Sequence, residues 1–137
     1  MTRPLDTNVI LRHVTRDHAD HSRRAHQLMQ ELESGAATAR LTEGVLVEAV
    51  QVLSSKVTYN LPRTDIRTYL ANVITMPGVE LPDKRRYLRA LDRYVAISAL
   101  SFVDALLSIY AEDSLTKTVL SFDREFDRVP GITRAEP

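Results

Sequence analysis

Apolar residues recur at helical spacing through most of the chain. In residues 17–34, Ala25, Leu28, Met29 and Leu32 follow the i, i+3, i+4, i+7 pattern, and Gly35 is suited to end the helix. The same spacing predicts four more helices, each preceded by a residue that can cap it. These helices cover residues 43–57 after Thr42, residues from Thr64 to the Pro77-Gly78 turn, residues from Asp83 to about Val95, and residues 102–113 after Ser101.

Short apolar segments between these helices predict strands. A strand leads into Asp6 and is followed by a turn into a helix, with Leu5, Val9, Ile10 and Leu11 in the core. We expect this strand to be short, because Pro4 cannot donate to a ladder. The other candidates are residues 39–41, 79–81 and 117–122, of which the last is the clearest. Strands that alternate with helices predict an α/β fold with a mainly parallel central sheet flanked by helices.

Composition limits the class of protein. The 137 residues, 44% of them hydrophobic, are enough for a single domain over residues 1–137. Eighteen basic and eighteen acidic residues give no net charge, so contact with nucleic acid would need a local basic patch. The absence of cysteine excludes disulfides and thiolate chemistry. Without a signal-like N-terminus or an apolar stretch long enough to cross a bilayer, we expect a soluble cytoplasmic protein with no membrane association.

Four acids lie in apolar surroundings: Asp6, Glu48, Asp104 and Asp123. Asp6 and Asp123 each follow a predicted strand, and sites of parallel sheets form beyond such strand ends. Glu48 and Asp104 lie on predicted helices that could line the same crevice. Because the helix that carries Glu48 is apolar nearly all round, we expect Glu48 to be buried and functional, whereas Glu43 suits the helix start as a structural acid.

Clustered carboxylates repel one another, and a divalent cation relieves that repulsion. Ligands that are all oxygen suit Mg²⁺ or Mn²⁺, and such an ion can activate a water and stabilise a phosphate under attack. Each acid also has an ordinary explanation. Asp6 and Asp123 could be turn residues, Glu48 could pair with an arginine, and Asp104 could form a capping box with Ser101.

Two other groups of side chains are better explained as solvated helix faces. The histidines could bind a metal only from one common face; His18 and His21 can share a face, but His26 stands off it. The helix after Asp83 has a basic outer face, and a charge run on a helix is usually only solvated. Those residues are His13, His18, His21 and His26 in the first group, and Lys84, Arg85, Arg86 and Arg89 in the second.

Four segments resemble the four motifs of PIN-domain ribonucleases, and among these the VapC toxins of bacterial toxin–antitoxin pairs. They are residues 5–11, 45–48, 102–106 and 121–127, and the resemblance spans nearly the whole chain. It implies a PIN-like three-layer α/β fold, hydrolysis of RNA phosphodiester bonds that depends on Mg²⁺ or Mn²⁺, a homodimer, and inhibition by a VapB-like antitoxin. The alternative is a catalytically degenerate PIN-fold module that binds protein or RNA. A phosphotransfer enzyme with Asp6 as nucleophile is disfavoured, because Asn8 supplies no second acid.

The resemblance also implies roles for individual residues. Asp6, Asp104 and Asp123 match the metal ligands, and Glu48 matches the acid that positions or deprotonates the attacking water. Arg12 and Arg16, or the basic helix face, are the expected contacts to flanking phosphates. Aromatic positions at Tyr59, Tyr69 and Tyr87 are candidates for partner contacts. The supporting polar residues are Thr7, Asn8, Ser121 and Asp127, and whether Asp127 or Glu125 joins the site is left open.

Overall fold

A computed structural model describes residues 2–137 and forms a mixed α/β structure. It divides into two compact units, the first ending at Lys84 and the second running from Arg85 to Pro137. The first unit contains β1 (Arg3–Pro4), α1 (Thr7–Thr15), α2 (Ala19–Ser34), β2 (Ala39–Arg40), α3 (Glu43–Ser54), α4 (Arg63–Ile74) and β3 (Val79–Glu80). The second contains most of α5 (Lys84–Ala96), then α6 (Phe102–Asp113), β4 (Thr118–Leu120), a 3₁₀ helix (Arg124–Arg128) and β5 (Thr133–Ala135).

The first unit has a three-stranded parallel sheet in the order β1-β2-β3. Pro4 lies in edge strand β1, where a missing N–H costs least. Beyond the strand ends, the amide of Leu5 donates to Arg40 O at 2.8 Å and that of Leu41 donates to Glu80 O at 2.9 Å. Leu5 and Leu41 are both buried. The predicted short first strand and parallel sheet are therefore confirmed.

The helices of the first unit bury most of the apolar positions that their spacing predicts, but Val9 and Leu28 are only half-buried and Tyr69 is exposed. Ala25, Met29 and Leu32 of α2 are buried, and Gly35 ends the helix with a φ of 80° that favours glycine. Helix α2 begins at Ala19, two residues later than predicted, because the chain leaves α1 at Thr15 and His18 caps the new helix by accepting from the amide of His21 at 3.1 Å.

Three further predicted boundaries in this unit are wrong. Helix α3 ends at Ser54 and not at residue 57, because Ser55 is extended and its carbonyl accepts from the amide of Asn60 at 2.9 Å. Pro62 and not Thr64 occupies the N-cap of α4. Asp83 has a φ of 59°, so it lacks the extended backbone of an N-cap residue.

In the second unit, β4 and β5 pair in parallel, with Thr118 opposite Thr133. The predicted strand at residues 117–122 is confirmed only at its centre, since Lys117 has a φ of 52°. Strand β5 was not predicted, because its three residues carry no run of apolar side chains. Val119 and Phe126 pack with Ala111 into a small buried cluster.

The basic face of α5 packs against α6, so the prediction of a purely solvated face is wrong. Arg89 donates to Asp113 at 3.0 Å and to Glu112 at 2.5 Å, and these contacts raise the pKa of its guanidinium. Arg93 donates to the buried hydroxyl of Ser108 at 3.0 Å. The guanidinium of Arg86 lies 4.5 Å from the ring centre of Tyr110. No helix in the described part of the chain is long and apolar enough to cross a membrane.

Candidate functional site

Asp6 lies two residues after the end of β1 and is the N-cap residue of α1. Its Oδ2 accepts from the amide of Asn8 at 3.4 Å, while Leu5 before it and Thr7 after it are buried. The Asp6 side chain is exposed, and its carboxylate forms no ion pair with any residue in the range 2–137. Two buried neighbours thus hold an accessible carboxylate at the carboxyl end of an edge strand, as predicted.

Glu48 lies on α3, which is separated by two residues from β2, the strand next to β1. Helix α3 therefore starts from the same edge of the sheet as α1. The expectation that Glu48 is buried is wrong: its side chain is exposed, because Val45 and Val52 on its side of the helix are only half-buried. The opposite stripe makes the core and consists of Leu46, Ala49, Val50 and Leu53. An exposed carboxylate needs no protein partner, so the arginine pairing considered for Glu48 is not required.

In the second unit, Asp104 lies in the first turn of α6. Its amide donates to Ser101 Oγ at 3.0 Å, so the predicted N-cap at Ser101 is confirmed. The reciprocal bond of a capping box, from the Ser101 amide to the Asp104 carboxylate, is not formed among the described residues. The half-buried Asp104 carboxylate is left to interact with the helix dipole or with a ligand.

Asp123 is the N-cap residue of the 3₁₀ helix that follows β4. Its Oδ1 accepts from the amide of Glu125 at 2.9 Å, and its own amide donates to Ser121 Oγ at 2.9 Å. The side chain is exposed. Asp123 is thus both a turn residue and an accessible carboxylate at a strand end, and Ser121 positions its backbone.

Asp127 and Glu125 are bound to arginines. Arg134 donates to Asp127 at 3.1 Å, which links the 3₁₀ helix to β5, and the pKa of Arg134 is raised mainly by this bond. Arg128 donates to Glu125 at 3.0 Å. Both carboxylates are thus paired with a protein cation, unlike those of Asp6 and Asp123 in the part of the chain that the structure describes.

The four predicted acids supply carboxylate oxygens, which are the ligands that a hard divalent cation prefers. Asp6 and Glu48 belong to the first unit, and Asp104 and Asp123 to the second. Within residues 2–137, none of the four carboxylates is neutralised by a protein cation. The structure does not, however, place three or more histidine or acidic side chains of residues 2–137 in an arrangement that could hold a metal ion.

The histidines form two stacked pairs. The rings of His18 and His21 lie 3.9 Å apart, and those of His13 and His26 lie 5.5 Å apart. Burial lowers the pKa of His13, and His26 and Arg16 lower it further. His26 stacks on His13 and not on His18 or His21, in agreement with the prediction that it does not share their face. His13 is half-buried, whereas the other three histidines are exposed, as predicted.

The predicted phosphate contacts differ in their surroundings. Arg12 donates to Asp17 at 2.8 Å, so its charge is partly offset. Arg16 is exposed at the end of α1 with a φ of 55°. Arg24 was not predicted, but it lines a cavity beside α1. The only sequence signal for it is its place next to buried Ala25, which is too general to single it out.

Comparison with known protein families matches residues 5–132 to the PIN domain. The helices and the parallel strand pairing are consistent with a PIN-like fold. No curated protein matches the chain.

Proposed function

The chain belongs to the PIN domain family, whose members are generally nucleases, and on this premise we propose that it is a metal-dependent ribonuclease. It would hydrolyse RNA phosphodiester bonds with Mg²⁺ or Mn²⁺ and act in the cytoplasm as the toxin of a VapBC-type pair. We further propose that residues 1–137 act as one PIN-like domain. The family match supports this, since it extends across both compact units.

The observation that supports the proposal best concerns Asp6 and Asp123. Each follows a parallel strand, caps the helix that comes next, and presents an exposed carboxylate with no ion pair among the described residues. Other acids, such as Asp17, Asp113 and Asp127, are held by arginines. Carboxylates left unneutralised at strand ends are suited to bind a cation.

The proposed roles follow from the motif resemblance. Asp6, Asp104 and Asp123 would hold the ion, which lowers the pKa of water and offsets charge on the phosphate. Glu48 accepts a proton from the attacking water, whose oxygen bonds to phosphorus as the bond to the leaving ribose oxygen breaks, and the leaving oxygen takes up a proton from solvent water. The amide of Asn8 and the hydroxyl of Ser121 hold Asp6 and Asp123 in place. Thr7 is buried and anchors the first turn of α1.

The toxin role rests on the motif resemblance and brings with it a homodimer and a VapB-like antitoxin. Of the aromatic residues suggested for partner contacts, Tyr69 is 42% exposed, whereas Tyr87 is buried and Tyr59 is half-buried. Tyr69 is therefore the best placed of the three on a partner surface. Light scattering at high protein concentration tests the dimer, and a strictly monomeric species would contradict it.

The alternative function is a binding module on the same fold with a degenerate site. It is favoured by one observation, that no three acids or histidines of residues 2–137 are grouped around a potential metal position. Calorimetric titration with Mn²⁺ separates the two functions: heat of binding that is lost in Asp6→Asn supports the nuclease, and no heat supports the module.

The test of the proposed function is cleavage of end-labelled RNA by the purified chain. We expect cleavage with Mg²⁺ or Mn²⁺, loss of cleavage in excess EDTA, and recovery when Mn²⁺ is added back. RNA cleaved equally well in EDTA would show that the reaction needs no metal. RNA left intact under every condition would favour the binding module.

A further inference from the structure

Two cavities adjoin along α1 and share Val9 and Leu28 in their walls. The first, of about 240 Å³, contains Asp6 and Arg3. The second, of about 300 Å³, is bordered by residues of α1 and α2, including Arg24. Because the same two apolar side chains line both, the cavities form one groove, which we call the α1–α2 groove. It begins beside the proposed catalytic Asp6.

The length of the groove suits a short stretch of nucleic acid. Asp6 and Arg12, one in each cavity, are six residues apart, which is about 9 Å along a helix at 1.5 Å per residue. A stacked strand advances about 3.4 Å per phosphate. The groove therefore matches roughly two to three nucleotides of a strand whose phosphate lies at Asp6.

Two arginines of the groove carry a positive charge that nearby acids do not fully offset. Arg3 is exposed and pairs with no acid among residues 2–137. Arg24 is 70% exposed and lies 3.7 Å from Asp20, whose closer partner is Arg23 at 2.7 Å. Arg12 differs, because Asp17 offsets its charge at 2.8 Å. Each cavity thus has a cation whose charge is not fully offset. Arg3 has no ion pair among residues 2–137, and Arg24 has only a long one to an acid that it shares with Arg23.

The rest of the groove is suited to the uncharged parts of a nucleotide. Val9, Ala25 and Leu28 make an apolar floor. His21 lies in the wall, and its ring stacks on that of His18 at 3.9 Å, which provides a flat surface on which a base can stack. An apolar floor with a cation in each cavity is complementary to an unpaired nucleotide and its phosphates.

We propose that Arg3 and Arg24 bind phosphates of a single-stranded RNA as it passes along the α1–α2 groove to Asp6. This inference rests on the proposed function, since that function brings RNA to Asp6. RNA is favoured over an acidic peptide because the groove includes Asp6, which is proposed to hold the metal ion at the phosphate that is cleaved. Phosphate contacts of this kind position the strand without reading its sequence.

The test is binding of a fluorescein-labelled, random-sequence, single-stranded RNA oligonucleotide, followed by anisotropy at several KCl concentrations. EDTA keeps the RNA intact, and a gel confirms this. The variants are Arg3→Gln and Arg24→Gln. The matched control is Lys56→Gln, which also removes one positive charge. Lys56 is exposed and follows the end of α3, so it is separated from the strand ends by the length of that helix.

We expect each arginine variant to bind RNA several-fold more weakly and to reduce the slope of log K against log salt by about 0.7 for each lost single-strand phosphate contact. Lys56→Gln should match the wild type. If all three variants weaken binding equally, the effect is one of net charge and the proposal fails. If the wild type binds RNA and both arginine variants bind it equally well, the groove serves another partner, such as a protein, and the proposal fails while the nuclease function stands. Arginine-dependent binding without cleavage would support the groove and count against the nuclease.

Discussion

The hydroxyl of Tyr59 donates a hydrogen bond of 2.6 Å to Oδ2 of Asp17, which joins two loops that are 42 residues apart in sequence. The other oxygen of Asp17 accepts from Thr15 at 2.9 Å and from Arg12 at 2.8 Å. The Tyr59 bond, followed by that from Thr15, holds the pKa of Asp17 well below its usual range. One carboxylate therefore ties the α1–α2 loop to the loop that follows α3.

Tyr59→Phe removes this donor and should lower the free energy of unfolding by at most about 1 kcal/mol, because Asp17 is exposed to solvent. The native-state pKa of Asp17 is lowered, so its contribution is complete above the unfolded-state pKa of about 3.9 and is lost as pH falls through the native value. Because the native-state pKa of Asp17 is well below its usual range, its carboxylate is still ionised at about pH 3, so urea unfolding near neutral pH and at about pH 3 should show a similar difference between variant and wild type.

The control for this prediction is Tyr69→Phe, which removes a hydroxyl from a tyrosine that is 42% exposed. It should change stability little at either pH. A Tyr59→Phe effect that is absent, or that grows as the pH falls, would contradict the assigned role of Asp17.

Gly78 and Gly44 provide a matched pair of glycines with opposite expectations. A Cβ on Gly78 would lie 2.2 Å from Ala37 O and 2.8 Å from Leu32 O, and these backbone atoms cannot move cheaply. A Cβ on Gly44, in the first turn of α3, would meet nothing within 4 Å. Gly78→Ala should therefore destabilise the protein by about 1–3 kcal/mol, whereas Gly44→Ala should stabilise it by about 0.5–1 kcal/mol. Denaturant unfolding measures the free energy of unfolding of both variants, and an equal change in the two would contradict the prediction.

Asp6→Asn tests the proposed site with little risk to the fold, because asparagine caps helices as well as aspartate does. We expect the rate of Mn²⁺-dependent RNA cleavage to fall by several orders of magnitude, since an uncharged ligand holds the cation poorly. Single-turnover cleavage measures the rate. The control is Asp65→Asn, which removes the charge of an exposed aspartate near the start of another helix, α4. Wild-type cleavage by Asp6→Asn would exclude Asp6 as a ligand.

Asp104→Asn distinguishes two roles of Asp104: a ligand of the metal ion, or an acid that only stabilises the start of α6. As a ligand beside other carboxylates, Asp104 adds repulsion when no metal is bound, so the variant should melt at the same temperature as the wild type or higher without Mn²⁺. It should then lose the stabilisation that Mn²⁺ gives the wild type. Melting temperatures with and without Mn²⁺ measure both effects.

Ser101→Ala is the matched control, because it removes the oxygen that accepts from the Asp104 amide and leaves the carboxylate in place. It should lose about 1 kcal/mol of stability and keep its gain from Mn²⁺. An Asp104→Asn variant that melts lower yet gains as much from Mn²⁺ as the wild type would exclude the ligand role.

The features that the sequence predicted well depend on near neighbours in the chain. Thr42 and Ser101 cap their helices, Gly35 ends α2, and Asp6 stands at the start of α1, each through atoms within a few residues. Such bonds form whatever the rest of the fold does, so a local pattern is enough to predict them. The order of the four motifs likewise anticipated the PIN family.

Other features depend on residues that are distant in sequence, and the tertiary structure alone decided them. The exposure of Glu48 depends on what packs over Val45 and Val52, and not on the apolar pattern of α3 itself. Strand β5 exists because β4 offers it a ladder, and Arg89 is bound because α6 presents Asp113 and Glu112 to α5. Burial, strand pairing and ion pairing depend on surfaces that come into contact only when the chain folds. Helix caps and apolar periodicity depend on residues close together in the sequence, so they can be predicted from it.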